Sequence, residues 1–195
     1  MNPTSELWLV RHGETEWSAS GRHTSHTDVP LTDEGRKRAA ALRKRLYGVE
    51  FAQVLSSPLS RARETAELAG YGAGIELVDD LREWDYGPAE GLTTPQIRET
   101  EPGWTVWTHA LPGSEPVDAV GGRADQVVAR ARAVDGRTLA FSHGHMCRVI
   151  GARWVGLPPA DGSRLKLDTA AVSVLGWERD QPVLLRWNDT GRLPD

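Results

Sequence analysis

The chain has 195 residues and a net charge of −4, and 26% of its residues are charged. This length suits one hydrophobic core, and because the composition does not change along the chain we predict a single domain over residues 1–195. The mild charge and the scattered arginines argue against a nucleic-acid or a membrane-surface partner. The opening residues MNPTSE do not have the form of a targeting segment, and no apolar stretch reaches the roughly 18 residues of a membrane span, so we expect a cytoplasmic protein. The single cysteine, Cys147, excludes an internal disulfide.

Three short apolar runs predict buried strands that end in chemically capable residues. They are LWLV before Arg11 and His12, AQVLSS before Pro58, and TLAFS before His143. Four segments between or after these runs have apolar residues at helical spacing and predict helices. They are EGRKRAAALRKRLYG, SRARETAELAGYG, GRADQVVARARAVDG and GHMCRVIGARWVGLPP. Strands that alternate with helices predict an α/β fold of three layers, in which helices flank a mostly parallel central sheet.

The last part of the chain and its middle depart from this alternation. AAVSVLGWE and PVLLRWND, with a tight connection between them, predict a C-terminal antiparallel hairpin that extends one edge of the sheet. The stretch from Gly87 to Gly122 is the least regular, with prolines at positions 88, 95, 102, 112 and 116. We expect it to form a loop-rich cover over the residues that the strands present.

Cationic residues gather at one edge of the predicted sheet. Ligands of open α/β sheets bind at the carboxyl ends of the strands, which is where Arg11, His12 and His143 lie. Arg61 belongs to the same edge, because the second strand turns at Pro58 and a helix begins there. A cation in the first turn of a helix opposes the helix dipole, so a functional reason is expected for it. The guanidinium fork suits phosphate oxygens, and the cluster therefore predicts a phosphate site.

A phosphate site with histidines also suggests a reaction. Nearby positive charge disfavours an imidazolium, so we expect His12 to be neutral and able to attack phosphorus. The departing oxygen then needs an acid to protonate it. The segment LREWDYGPAEG offers Glu83, Asp85 and Glu90 for this role, and the residues alone leave the choice open.

Five motifs occur in order along the chain: LVRHGETEW, DVPLTDEGRKRA, SSPLSRARETAE, LREWDYGPAEG and FSHGH. Together they resemble the histidine phosphatase superfamily, the phosphoglycerate mutase-like phosphatases, from Leu7 to about Leu157. The loop TEWSASGRHTSHTDVPLT is most similar to the acid phosphatase and sugar-bisphosphatase branch. The resemblance implies the family's mostly parallel sheet, and hydrolysis of small phosphomonoesters such as sugar phosphates through a phosphohistidine.

The resemblance also implies roles for particular residues. The positions that match the family's functional residues are the nucleophile His12, the phosphoryl-binding Arg11, Arg61 and His143, and the proton donor Glu83. Glu83 is preferred to Asp85 because the family's glutamate stands four residues before a glycine, here Gly87. The family needs no metal ion or other cofactor, since fixed arginines and histidines stabilise the transferring oxygens.

Three positions depart from the family pattern near the expected substrate phosphate. Many members have asparagine where this chain has Ser18, and a Gln-Gly pair where it has Thr24 and Ser25. Hydroxyl groups can still donate hydrogen bonds, so we predict that Ser18, Thr24 and Ser25 bind the substrate through contacts that differ from those of other members.

Two other functions stay open. A cofactor-dependent phosphoglycerate mutase is the first, but the mutases carry a long insertion and an adjacent arginine pair between the acid and the second histidine. From Glu83 to His143 this chain has 60 positions and no Arg-Arg pair, so water should reach the phosphohistidine. The second is a non-catalytic phosphate-binding module. A homodimer formed through a sheet edge also stays open.

Several further side chains are expected to have packing roles. His145 forms a His-x-His pair with His143, which could suggest zinc, but neighbouring arginines would repel a divalent cation. We therefore expect His145 to pack at the start of its helix. Trp104 and Trp107 are expected to pack in the cover segment, and Cys147 in the core.

Overall fold

The structure, a computed structural model, describes residues 4–191. Its strands are β1 (Glu6–Arg11), β2 (Gln53–Ser56), β3 (Glu76–Leu77), β4 (Arg137–Ser142), β5 (Val172–Glu178) and β6 (Gln181–Asp189). Its α-helices are α1 (Glu16–Ser20), α2 (Asp33–Arg45), α3 (Ser60–Ala66), α4 (Thr94–Thr100), α5 (Val117–Ala133) and α6 (Gly144–Trp154). No helix within this range combines the length and the apolar character that crossing a membrane requires. Residues 1–3 and 192–195, which the single-domain prediction includes, lie outside the described residues.

The strands of the described range form one sheet in the order β3-β2-β4-β1-β5-β6. Strands β1 to β4 pair in parallel, whereas β5 is antiparallel to β1 and forms a hairpin with β6. The predicted mostly parallel sheet with a C-terminal antiparallel hairpin is therefore confirmed. Strand β3 was not predicted, because its two residues are exposed and show no apolar pattern.

Helices cover both faces of this sheet, as predicted. Along β1 the side chains alternate between the faces: Leu7 and Leu9 pack in one core cluster with α5 and α6, and Val10 packs in a second cluster with Leu42 of α2. Full burial of each leucine contributes about 1.5–3 kcal/mol. The two clusters hold the central strands rigidly, so the residues at the strand ends have defined positions.

The cover segment contains more helix than the sequence indicated. Helix α4 lies inside it, with a capping box between Thr93 and Gln96, and α5 begins at Val117 instead of Gly122. The early start was missed because two consecutive glycines suggested a helix boundary. Gly121 instead allows close packing, since a Cβ at this position would lie 2.9 Å from Cγ of Pro159.

Candidate active site

The ends of three neighbouring parallel strands bring the predicted residues together. β2, β4 and β1 are adjacent in the sheet, and Arg11 pairs with Ser142 at the last position of their ladder. The amide of His12 donates to the carbonyl of Ser142 over 2.9 Å, so His12 and His143 follow their strands at the same level. Their ring centroids are 5.2 Å apart. The prediction that both histidines lie at one sheet edge agrees with this geometry.

The ring of His12 is held as a neutral imidazole. Its Nδ1 lies 2.6 Å from the carbonyl oxygen of Gly13, which can only accept, so Nδ1 carries the proton and Nε2 has a lone pair. Burial lowers the pKa of His12 well below its usual value of 6.5, and the charges of Arg61 and Arg11 lower it further. The sequence analysis attributed the neutral form of His12 to nearby positive charge. In the structure burial is the larger cause, and the charges of Arg61 and Arg11 come second.

The backbone after His12 is fixed by two close approaches. The amide of Gly13 donates to Oγ1 of Thr65 over 2.9 Å, and that hydroxyl donates to the carbonyl of Arg61. A Cβ on Gly13 would lie 2.7 Å from the carbonyl oxygen of Gly35 in the first turn of α2. Only a glycine fits this contact without a shift of the backbone, and the carbonyl that orients His12 is thereby held in place.

Arg61 lies in the first turn of α3, as predicted, and its side chain is fully buried. Nη1 donates to the carbonyl of Thr27, and Nη2 donates to those of Thr24 and Ser25, over 3.1–3.2 Å. Nη1 of Arg61 lies 3.9 Å from Oδ1 of Asp28, whose side chain is half-exposed. The guanidinium group therefore ties the 24–27 loop to the helix, while its charge acts on the neighbouring His12.

Arg11 is oriented from the opposite side. Its Nη1 donates to the carbonyl of Leu167 over 2.6 Å. The side chain passes over the first residue of α6, where a Cβ on Gly144 would lie 3.3 Å from Cζ of Arg11. Gly144 thus leaves room for the guanidinium group beside the helix terminus.

The predicted phosphoryl-binding residues carry buried nitrogen atoms without hydrogen-bond partners. Within residues 4–191, these atoms are Nε of Arg11, Nε of Arg61 and Nδ1 of His143; the other buried side-chain atoms of this kind belong to Trp104 and Arg132. Buried polar groups in proteins are nearly always paired, so each exception needs an explanation. Three such atoms around one nucleophile are suited to an anion that accepts from all of them.

His143 is oriented by a serine that the sequence did not single out. Its Nε2 lies 2.8 Å from Oγ of Ser57, a contact in which the serine hydroxyl donates when the ring carries its proton on Nδ1. Burial lowers the pKa of His143 well below 6.5, and Arg61 and His12 add to the effect. A neutral ring that accepts at Nε2 carries its proton on Nδ1, the nitrogen without a partner. Ser57 directly follows β2, so its position at a strand end was the available signal.

Glu83 lies at the N-terminus of α6, beside the nucleophile. Its carboxylate accepts from the backbone amides of His145 and Met146, over 3.0 and 2.9 Å, and from that of Trp84. The residue is 7% exposed and lines the same cavity as His12. Backbone amides at a helix terminus hold a carboxylate in one orientation, which an acid acting on a leaving group requires.

The two competing carboxylates point elsewhere. Oδ2 of Asp85 lies 3.0 Å from Nε2 of His26, outside the cavity. Glu90 accepts from backbone amides of the 24–27 loop over 2.8–3.0 Å and has a structural role there. Of the three candidates, the geometry thus favours Glu83.

An ion pair from α5 holds the loop that carries Glu83. Arg123 donates through Nη1 to the carbonyls of Asp80 and Arg82, over 3.1 and 2.8 Å, and forms a bidentate pair with Glu115 at 2.8 and 2.7 Å. Its Nη2 also lies 3.5 Å from the carbonyl of Glu83. Sequence analysis did not predict this clamp, because nothing in the local pattern links a helix arginine to carbonyls of a distant loop.

The cavity beside His12 has a volume of about 170 Å³. Of the predicted substrate-binding residues, Arg11, Ser18 and Thr24 line it, whereas Arg61, His143 and Ser25 are buried and do not. The hydroxyl of Ser18 donates to the carbonyl of Thr15 in the capping box of α1, and that of Thr24 donates to the carbonyl of Arg22. A substrate would have to compete with these bonds or add to them.

Three aromatic rings also line the cavity, those of His23, Tyr86 and His145. Nδ1 of His145 lies 2.6 Å from the hydroxyl of Tyr86, and the ring packs at 5.2 Å against Trp107. The ring of His23 packs between those of Tyr86 and Trp104, with centroid distances of 4.9 and 5.1 Å. Burial lowers the pKa of both histidines. Trp104 and Trp107 do not line the cavity, which agrees with the packing roles predicted for them, whereas His145 lines it as well as packing against Tyr86 and Trp107.

Comparison with known proteins places this geometry in a family. Residues 7–190 match the histidine phosphatase superfamily (branch 1). The chain belongs to the histidine phosphatase superfamily. The resemblance predicted from the five motifs is thus confirmed, and the sheet described above is the fold of a histidine phosphatase.

Relatives of this histidine phosphatase extend the comparison. An acid phosphatase from Mycobacterium tuberculosis is 49% identical over 176 residues, which cover 88% of this chain and 86% of that protein. Sedoheptulose 1,7-bisphosphatase from Saccharomyces cerevisiae is 34% identical over 186 residues, which cover 79% of this chain and 69% of the other. A solved structure of an open reading frame product from Mycobacterium tuberculosis superposes with a TM-score of 0.92 at 45% identity, over 96% of this chain and 99% of that one.

Proposed function

We propose that this histidine phosphatase hydrolyses small phosphate monoesters, without a metal ion, through a phosphohistidine on His12. The observation that carries the proposal is the neutral His12 ring, whose Nδ1 proton is fixed by Gly13 and whose Nε2 lone pair is available. The relatives named acid phosphatase and sedoheptulose 1,7-bisphosphatase support a phosphoric monoester hydrolase.

In the first half of the proposed reaction, Nε2 of His12 attacks phosphorus and forms a P–N bond. The P–O bond to the leaving group breaks, and the carboxylic proton of Glu83 moves to the departing oxygen, which leaves as an alcohol. Arg11, Arg61 and His143 donate to the equatorial oxygens through the nitrogen atoms that lack partners in the described residues. Their positions are set before substrate binds, which is why they favour the transition state.

In the second half, a water molecule attacks the phosphohistidine. Glu83, now a carboxylate, takes a proton from this water, the P–N bond breaks, and its electron pair returns to Nε2 of His12. Inorganic phosphate leaves, and the acid and the nucleophile regain their starting forms. The cavity is large enough for a small metabolite, which agrees with the predicted partner.

We prefer hydrolysis to the mutase reaction because of the composition of the segment between Glu83 and His143. The segment between Glu83 and His143 has no adjacent arginine pair, and it forms α4, α5 and the stretch that carries Trp104 and Trp107. A mutase must keep water away from its phosphoenzyme. Transfer of phosphate between monophosphoglycerates would favour the mutase, and phosphate binding without a phosphoenzyme would favour a binding module.

The test is hydrolysis of p-nitrophenyl phosphate and a panel of sugar phosphates in EDTA, with the intact chain and with His12→Ala. We expect turnover that survives EDTA and is lost in the variant. His109→Ala is a matched control, because His109 is exposed and does not line the cavity. Activity that EDTA abolishes, or that His12→Ala keeps, would contradict the proposal. The cytoplasmic location and a homodimer remain predictions from the sequence.

A further inference from the structure

We propose that a second cavity, the α2 groove, binds a small molecule that carries several phosphate groups, and that this molecule activates the enzyme. The α2 groove lies between α2, residues 166–170 and the end of β6 at 188–191. The binding part of this inference does not depend on the proposed function, whereas the activation rests on it.

The size and the lining of the α2 groove indicate the kind of ligand. Its volume is about 990 Å³, against about 170 Å³ for the cavity beside His12. The two cavities share Arg11 and Ser18 and have no other lining residue in common. Among the described residues, no aromatic side chain lines the groove, so it offers no surface on which a planar base can stack. The groove therefore suits a molecule that is polar on all sides.

The charge of the lining indicates an anion. Two carboxylates, those of Glu14 and Asp168, face five cations: Arg11, Arg38, Lys44, Arg45 and Lys166. Three of these cations have a carboxylate partner within 4 Å, whereas Lys44 has none among the described residues. A chain with a net charge of −4 thus gathers positive charge along one groove. Several anionic groups on one ligand can meet several of these cations at once.

The cations lie on different walls of the groove. Arg38 and Arg45 are on one face of α2, and Ala41 stands between them, where its short side chain leaves room for a ligand. Lys44 is exposed at the end of the same helix. Lys166 is on the 166–170 segment, and its side chain is 82% exposed. A ligand that contacts both lysines would connect the helix to that segment.

The 166–170 segment also contacts the catalytic residues. The carbonyl of Leu167 accepts from Nη1 of Arg11 over 2.6 Å, and the amide of Ala170 lies 3.1 Å from the carbonyl oxygens of Arg11 and His12. The carbonyl of Ala170 accepts from Nη1 of Arg45 over 3.2 Å. Ala170 has a φ of 55°, a conformation that a residue with a side chain keeps only where its contacts hold it.

These contacts explain how an anion in the groove would act on the reaction. A polyanion that bridges Lys44 and Lys166 restricts the motion of the 166–170 segment, so the carbonyl of Leu167 holds Arg11 more firmly. Arg11 is proposed to bind the phosphoryl group that is transferred, and a better-positioned donor raises kcat. The ligand does not occupy the cavity beside His12, so KM should change little.

Calorimetry with inositol hexakissulfate tests the binding site, since sulfate esters are not substrates of the proposed reaction. We expect one probe molecule to bind per chain. Lys44→Gln and Lys166→Gln should each weaken binding by about two- to fivefold, as expected for one partly exposed ion pair, and the double variant by about tenfold. Lys37→Gln is the matched control, because Lys37 is exposed on the same helix and does not line the groove.

Turnover of p-nitrophenyl phosphate tests the activation. Saturating probe should raise kcat about fivefold, the lower end of common couplings between two sites, with little change in KM. Sodium sulfate at six times the probe concentration supplies the same number of sulfate groups and should not reproduce the rise. The double variant should keep the basal kcat and lose most of the activation.

A rise in KM at unchanged kcat would place the probe in the cavity beside His12 and overturn the inference. Binding that the double variant keeps, binding without a change in kcat, or an equal effect of free sulfate would also overturn it. A chain that binds the probe in the groove but does not turn over phosphate esters would instead contradict the proposed function.

Discussion

The two ends of the cavity are built differently. At the phosphoryl end, His12 and His143 directly follow the paired strands β1 and β4, and Arg61 lies in the first turn of α3, which follows the neighbouring strand β2. At the leaving-group end, Glu83 is held by hydrogen bonds to helix backbone. The sheet register sets the first end, and side-chain contacts with backbone groups set the second. We therefore expect changes at the first end to affect all substrates alike, and changes at the second to depend on the leaving group.

The largest effect that depends on the leaving group is expected for Glu83→Gln. An amide cannot donate the proton that an alkoxide needs, so kcat for a sugar phosphate should fall by about 10²- to 10⁴-fold. The loss should be much smaller for p-nitrophenyl phosphate, whose leaving group is stable as an anion. Asp85→Asn is the matched control and should retain most activity on both substrates. Steady-state kinetics with both substrates check this, and the reverse pattern would assign the acid to Asp85.

At the phosphoryl end, Arg61→Lys should lower kcat by about 10²- to 10³-fold for every substrate. A lysine keeps the charge but cannot donate from several fixed nitrogen atoms, and losing one donor of this kind typically costs this much. Arg63→Lys, two residues further along the same helix and exposed, should behave as wild type. A loss that differs between an aryl and an alkyl phosphate would break the distinction between the two ends.

A smaller effect is expected when the clamp on the acid is removed. Arg123→Ala releases the carbonyls of the loop that carries Glu83, so kcat for a sugar phosphate should fall by about tenfold, with less change for p-nitrophenyl phosphate. Arg130→Ala is the matched control, because Arg130 is on the same helix and pairs with Glu76 on β3. Equal losses on both substrates would indicate that Arg123 only stabilises the fold.

The smallest effect concerns pH. The pKa of His12 lies well below 6.5, so the imidazole stays neutral at pH values where a free histidine is largely protonated. Lowering the pH from about 7 to about 6 should therefore reduce kcat/KM by less than about twofold through protonation of the nucleophile in the free enzyme. Rate measurements combined with nitrogen-15 NMR of the imidazole in the free enzyme would check this. A loss of kcat/KM that follows a His12 titration near 6.5 would contradict it.

The sequence predicted the parts of the molecule in which local pattern and tertiary position agree. Apolar runs that end in Arg11 or His143 identify both a strand and its functional end. The start of α5 was missed because Gly121 serves packing against Pro159, which no local rule can show. Helix α4 had a recognisable capping box, but the prolines around it suggested a loop.

The candidate site also combines residues that local pattern predicts with residues that only tertiary contacts reveal. The nucleophile and its cationic neighbours lie in motifs, so residue types and order were enough to predict that they lie together. The partners that orient them, such as Ser57 and the Arg123–Glu115 pair, act through contacts between distant segments. Hydrophobic periodicity carries no information on such contacts. Ser25 shows the opposite case, because a position predicted to face substrate is buried and bonded to Glu90.

The central claim is that His12 carries the phosphoryl group during turnover. The most direct test is to quench the reaction at short times under mildly alkaline conditions, in which phosphohistidine survives, and to locate the modification by mass spectrometry of the intact chain and its peptides. We predict one phosphoryl group per chain on Nε2 of His12, formed and lost at rates that can sustain turnover, and accumulating in Glu83→Gln if dephosphorylation is slowed more than phosphorylation. Turnover by a chain that forms no phosphohistidine, or a phosphoryl group on another residue, would contradict the account.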